Sequence, residues 1–188
     1  MQDLWGRILA GEVQKPNSYS LKTLDILRNL SKTEAELFEK VSKYALEDNN
    51  IWFIPVFDKE FLKSSLEIFP GNHFVLGEIG LMYQTDLTIQ MFMNGAKQNS
   101  IKNERHIIIA NKTEATKDLR MPIWKYTTAG SELISLVEKQ YNESYFERIA
   151  KYFLDNNCEV ITGDIIEKLP DGRISYNEIN KYTKEKST

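Results

Sequence analysis

The 188 residues carry 24 Lys and Arg against 27 Asp and Glu, a formal net charge of −3, with 41% hydrophobic and 27% charged residues. Such a chain can build one sizeable core, or a core with a small appendage, and its composition is that of a soluble globular protein. A single cysteine, Cys158, excludes an intrachain disulfide and any zinc site built on two thiolates of one chain.

The segment LWGRILAGE (4–12) reads as a short helix with Trp5, Ile8 and Leu9 on one side, ended by Gly11 and Pro16. Trp5, Ile8, Leu9 and, further on, Phe38 are the expected core or interface anchors. Ser18 or Ser20 can cap a second helix whose Leu21, Leu24, Leu27 and Leu30 form a stripe. Ser31-Lys32-Thr33-Glu34 is a capping box, and it opens a third helix with Ala35, Leu37, Phe38, Val41, Tyr44 and Ala45 on one face. Asp48-Asn49-Asn50 is expected to end that helix. IWFIPVF (51–57) then reads as a strand, with Pro55 favouring an edge or a strand end.

Residues 59–69 and 72–83 read as helices broken at Pro70-Gly71. Strands are expected at 87–93, 105–111 and 123–127, with the polar stretches 94–104 and 111–120 as exposed loops. Thr127 or Thr128 caps a following helix, and another covers 143–155 on Tyr145, Phe146, Ile149 and Phe153. A Pro170-Asp171-Gly172 turn separates short apolar pieces from RISYNEI, and 183–188 is expected to fray. The element order predicts an α+β, mainly helical fold: a winged-helix-like domain with additional N- and C-terminal helices. The expected division is a core over 1–138, containing the Trp helix, and a helical or turn-rich appendage over 139–188 packed on it.

No motif carries obvious chemistry. DGRISYNE resembles the second half of a calcium loop, but Leu169 falls where an acidic ligand belongs and Pro170 stiffens the approach, so it reads as a turn. Cys158, His73 and His106 stand in no catalytic pattern and read as packing residues. No Gly-Lys-Ser/Thr phosphate loop occurs. Neither a catalytic residue, a metal nor a cofactor is expected, although carboxylates assembled by folding would make a hydrolase the third reading. A membrane-spanning run and a basic-then-apolar signal segment are both lacking, so the cytoplasm is the expected compartment.

Charge is uneven. Lys97, Lys102, Arg105, Lys112, Lys117, Arg120 and Lys125 face only three acids between 97 and 125, a local +4 that leaves −7 on the rest. A basic hairpin could dock on phosphate by counterion release, and these seven residues are the candidate nucleic-acid contacts of a DNA-binding alternative. The expected recognition helix around Asn72, His73 and Gln84 has no Arg or Lys and carries Glu78, which favours a protein partner, itself or another chain.

Trp5, Ile8, Leu9, Ala10, Gly11 and Glu12, then Pro16, Ser18, Ser20, Thr23 and Leu24, then Leu30, Ser31, Glu34 and Ala35 reproduce a recurring pattern. It resembles that of a bacterial family designated domain of unknown function 2806, with the closest fit over 3–47. LGEIGL and YTTAGSEL extend it more loosely to 137, Tyr126 standing where the family has leucine. The resemblance implies kinship with modules such as abortive-infection alpha, and hence a winged-helix interaction module in a bacterial protein linked to phage defence. It transfers no catalytic residue. It also implies that Met1 is internal to a longer chain. The expected function is thus a non-enzymatic protein-interaction or oligomerisation module.

Overall fold

The computed structural model describes residues 19–169 and 173–183. The expected anchors Trp5, Ile8 and Leu9 and the turn at 170–172 lie outside the described residues. Among those described, six α-helices and eight strands are interspersed along the chain in pairs and short runs, and they fall into two compact units.

The first unit takes the described residues up to Ala45, then Ile51–Leu87 and Ile123–Lys139. Helix α1 (Leu21–Asn29) starts at Ser20, whose hydroxyl accepts from Thr23 N–H. Helix α2 (Lys32–Ser42) starts at the anticipated capping box: Glu34 N–H donates to Ser31 Oγ, and Ser31 N–H donates back to the Glu34 carboxylate at 2.8 Å. Those bonds satisfy two helix-end donors that would otherwise lack partners. Ala35, Phe38 and Val41 are buried along α2, and Phe38 meets Tyr126 edge-on at 6.0 Å.

Strand β2 (Ile51–Pro55) pairs antiparallel with the last three residues of β6 (Arg120–Lys125), Ile54 opposite Trp124. Pro55 is the final residue of its strand, where its missing N–H costs no interior ladder bond. Helix α3 (Lys59–Leu66) is capped by Asp58 and ends at Glu67 in the left-handed region. Helix α4 (Pro70–Glu78) has proline in its first turn. It stops well short of the expected residue 83, because Gly80 takes φ +80° and the N–H groups of Leu81 and Met82 both turn back to Leu76 C=O. Helix α5 (Thr128–Ile134) is capped by Thr127 and lies against α1.

The second unit takes Leu46–Asn50, Thr88–Pro122 and the residues from Gln140 onward. Its strands β1 (Leu46–Asp48), β4 (Gln98–Lys102), β5 (His106–Lys112), β7 (Cys158–Lys168) and β8 (Ile174–Tyr182) lie side by side in that order, every pairing antiparallel. Strand β3 (Leu87–Gln90) precedes Met91, whose N–H reaches Leu119 C=O. Helix α6 (Glu143–Asp155) buries Tyr145, Phe146, Ile149, Ala150 and Phe153 and packs on β7.

This architecture overturns the mainly helical, winged-helix-like expectation. The stretch 94–104, read as an exposed loop, contains β4, and the tail read as helices and turns is the β7–β8 hairpin. Gln98, Asn99, Ser100 and Lys102 have little intrinsic strand preference; pairing with the isoleucine-rich β5 decides their state. In β7, register shifts at Thr162/Gly163 and Ile165/Glu167 break the two-residue alternation that would have marked a strand. Gly163 is required there because a Cβ would meet the Tyr176 ring and the Asn177 carbonyl oxygen.

Candidate functional site

Two places in the structure combine chemistry with access, one in each unit. The first is the outer side of α4. His73 and Leu76 point inward, while Phe69, Phe74 and Val75 are turned out, Phe74 being 59% exposed and Phe69 42%. The inward anchoring is polar as well as apolar. The His73 ring stacks on Trp124 at 4.7 Å with the planes 6° apart, and its Nε2 lies 2.6 Å from Tyr83 C=O. Burial depresses the His73 pKa, so the neutral ring donates Nε2–H to that carbonyl. Trp124 Nε1 donates to Asp86 at 2.7 Å, and Lys59 Nζ donates to the other oxygen of the same carboxylate. The Lys59 bond is the largest cause holding the Asp86 carboxyl below its ordinary pKa. With its inner face fixed in this way, α4 presents aromatic side chains to solvent and has no charged residue before Glu78.

The second place lies on the sheet of the other unit. His106 at the start of β5 stands opposite Asp164 on β7, which in turn stands opposite Asn177 on β8. Imidazole Nδ1 and Asp164 Oδ1 are 2.5 Å apart. Tyr141 lies against the imidazole at 4.3 Å and Phe146 meets it edge-on at 5.5 Å. Asn103 Oδ1 accepts from the N–H groups of Arg105 and His106, fixing the turn between β4 and β5.

A third polar group sits on β1 and β4 of the same unit. Glu47 on β1 pairs with Lys102 on β4 at 3.4 Å, and Asn99 Nδ2 donates to Asp48, which is 5% exposed. Burial is the main cause raising the Asp48 pKa, and Asn99 Oδ1 beside it is buried with no hydrogen-bond partner. Asp48→Asn should therefore raise the melting temperature at neutral pH. It removes a desolvated carboxylate and supplies an amide donor to the orphaned oxygen, worth about 1 kcal/mol. A raised folded-state pKa means that the fold binds the proton more tightly than the unfolded chain does. The ionised group's cost accordingly grows as pH rises through the carboxyl range, and the gap between variant and wild type should close on acidification. Thermal melts at pH 7 and pH 4 check this.

The seven basic candidates do not form one stripe. Lys97 and Lys112 adjoin at one end of the β4–β5 hairpin, where Lys112 N–H donates to Lys97 C=O. Lys102 and Arg105 stand at the other end. Lys102 is neutralised by Glu47, Arg120 lies 3.8 Å from Asp118, and Lys112 sits over the Phe92 ring. Lys117 is in the loop before β6, while Lys125 falls in the first unit over Tyr83. On α4, Asn72 accepts from Phe69 N–H and His73 is occupied inside. Cys158 is buried, and burial is the main cause pushing its thiol pKa up. Sequence reasoning missed the His106–Asp164 pair because 58 residues separate the partners and only strand register brings them together.

Among the described residues no group of three or more His, Cys, Asp and Glu could hold a metal ion, and no helix is long and apolar enough to cross a membrane. No curated protein and no solved structure matches the chain. The model of one family, described as protein of unknown function (DUF2806), matches residues 1–150, and the chain belongs to that family.

Proposed function

We propose that this chain is a protein-interaction module that associates with a second copy of itself through the outer face of α4. The observation that carries the reading is the exposure of Phe69, Phe74 and Val75 on a helix without a charge before Glu78. A two-fold interface sets each patch against its own copy; Phe69, Phe74 and Val75 are apolar and self-complementary, while Glu78, exposed one turn beyond Phe74, stands at the rim of the patch. With Phe74 59% and Phe69 42% exposed, only about half of the roughly 150–250 Å² of each aromatic side chain is left to cover, so the contact is a small one. The expected product is a weak, reversible dimer with a Kd on the order of micromolar or weaker.

Phe74→Cys tests the contact geometrically, since Cys158 is buried and does not compete for oxidation. Under mild oxidation the variant should form a disulfide-linked dimer much faster than Lys117→Cys, which places a thiol on an exposed loop elsewhere. Equal cross-linking rates for the two variants would remove the α4 face from the interaction.

A further inference from the structure

We propose that residues 4–12 fold back along α1 as an antiparallel helix and seat Trp5 in a groove between α1, the start of α2 and the end of α4. The inference is independent of the self-association reading, because Phe69, Phe74 and Val75 line no part of that groove. The groove has a volume of about 230 Å³ and is lined by Asp25, Ile26, Asn29, Leu30, Glu34 and Ile79. Leu30 is buried, Ile26 and Ile79 are half-buried, and Asp25 and Asn29 are exposed. A cavity of about 150 Å³ takes a benzene ring, so this larger one has room for an indole.

The occupant follows from the way α1 is covered. Thr23 and Leu27, four residues apart, are buried, and Thr23 Oγ1 donates to Glu132 of α5 at 2.6 Å. The row Leu21, Asp25 and Asn29 faces the other way, and Leu21, at 86%, is the most exposed large hydrophobic among the described residues. Beside it the row Ile26 and Leu30 gives the groove its apolar lining. One helix laid along these two rows would cover Leu21 and fill the groove together.

The chain immediately before α1 supplies such a helix. LWGRILAGE sets Trp5, Ile8 and Leu9 on one side at helical spacing. Its direction and length fit. Ser20 N–H donates to the Glu132 carboxylate at 2.9 Å, which fixes where the chain enters α1. Pro16 prevents one continuous helix, and the stretch 13–19 has the length that joins antiparallel helices, about two to eight residues. From residue 12 back to Trp5 is about 10 Å of helix, and the same rise from Ser20 reaches Leu27, so Trp5 comes level with the groove. A buried indole N–H needs an acceptor, and Asp25 and Asn29 supply side-chain oxygens there. The matching family model spans both halves of the contact. So short a tether also holds Trp5 at an effective concentration on the order of millimolar, which favours the chain's own segment over that of another copy.

The test uses the full chain, with isoleucine δ1 methyls and tryptophan indoles labelled for NMR. Nuclear Overhauser contacts should join the Trp5 indole protons to the δ1 methyls of Ile26 and Ile79. Trp5→Ala should abolish those contacts and move both methyl resonances, while that of Ile149, buried in the other unit, stays in place. The wild-type contacts need no substitution, so the test stands even if Trp5→Ala folds poorly. Absence of any contact from the Trp5 indole to Ile26 and Ile79 would overturn the proposal. So would contacts that arise only between differently labelled chains in a mixed sample, which would mean that copies exchange the segment.

Discussion

Gly130→Ala should cost 3 kcal/mol or more, lowering the melting temperature by roughly 6–12 °C or leaving the chain insoluble. Gly130 lies in α5, and a Cβ there would collide with the carbonyl oxygen of Leu81 and press on the Tyr126 ring. Neither neighbour can yield cheaply. Leu81 C=O accepts from Thr127 N–H at 3.1 Å, and Leu81 N–H is bound to Leu76 C=O, so the turn that ends α4 is tied down at both ends. Tyr126 is buried, with Phe38 edge-on to it and Ser42 donating to its hydroxyl. Gly71→Ala makes the matched control, since a Cβ there meets nothing within 4 Å. In the first turn of α4 it should raise stability by roughly 0.5–1 kcal/mol through lost chain entropy. Differential scanning calorimetry of the two variants side by side checks both signs.

Trp124→Ala is expected to cost about 3–5 kcal/mol, the range for removing a buried large aromatic. The indole is 1% exposed, stacks on His73 and donates to Asp86, so its loss leaves a cavity and unsupports the residue that anchors α4. Trp124→Phe should recover most of that loss and fall short by about 1–2 kcal/mol, the share of the hydrogen bond to the charged Asp86. The same cluster sets a pH dependence. His73 has its pKa depressed by burial from 6.5, so its stabilising share is complete above that value and is lost as pH falls, when the unfolded chain takes the proton more readily. Asp86, depressed chiefly by Lys59, contributes in the same direction at lower pH. The wild-type fold should therefore weaken on acidification, and Trp124→Ala, which uncovers His73 and removes one of the bonds lowering the Asp86 pKa, should flatten that dependence, measured as melting temperature against pH.

Much of the local structure could be read from residues whose physics is local. Ser31 and Glu34 announce α2 because both halves of a capping box lie within four residues of each other. The strand at Ile51–Pro55 and the helix at Glu143–Asp155 follow from β-branched content and from aromatic residues at helical spacing. The winged-helix assembly failed where state is decided at a distance. β4 is polar and becomes a strand only because Ile107–Ile109 pair with it, and β7 hides its period behind Gly163 and two register shifts. For the same reason His106 read as a packing residue: nothing within ten residues of it shows that Asp164 will stand opposite. The outer face of α4 was obscured differently. PGNHFVLGE is apolar on nearly every side, so periodicity could not say that His73 would turn inward and Phe74 outward; stacking on Trp124 settles that.

Sedimentation equilibrium of the wild type and of Phe74→Asp, run from about 1 to 100 μM so as to bracket a micromolar dissociation constant, tests the self-association most directly. Phe74 is exposed, so the substitution should leave the melting temperature nearly unchanged and report on association alone. The wild type should pass from monomer toward dimer across that range while Phe74→Asp stays monomeric throughout. A wild type that remains monomeric at the highest concentration, or a Phe74→Asp variant that dimerises equally well, would contradict the account.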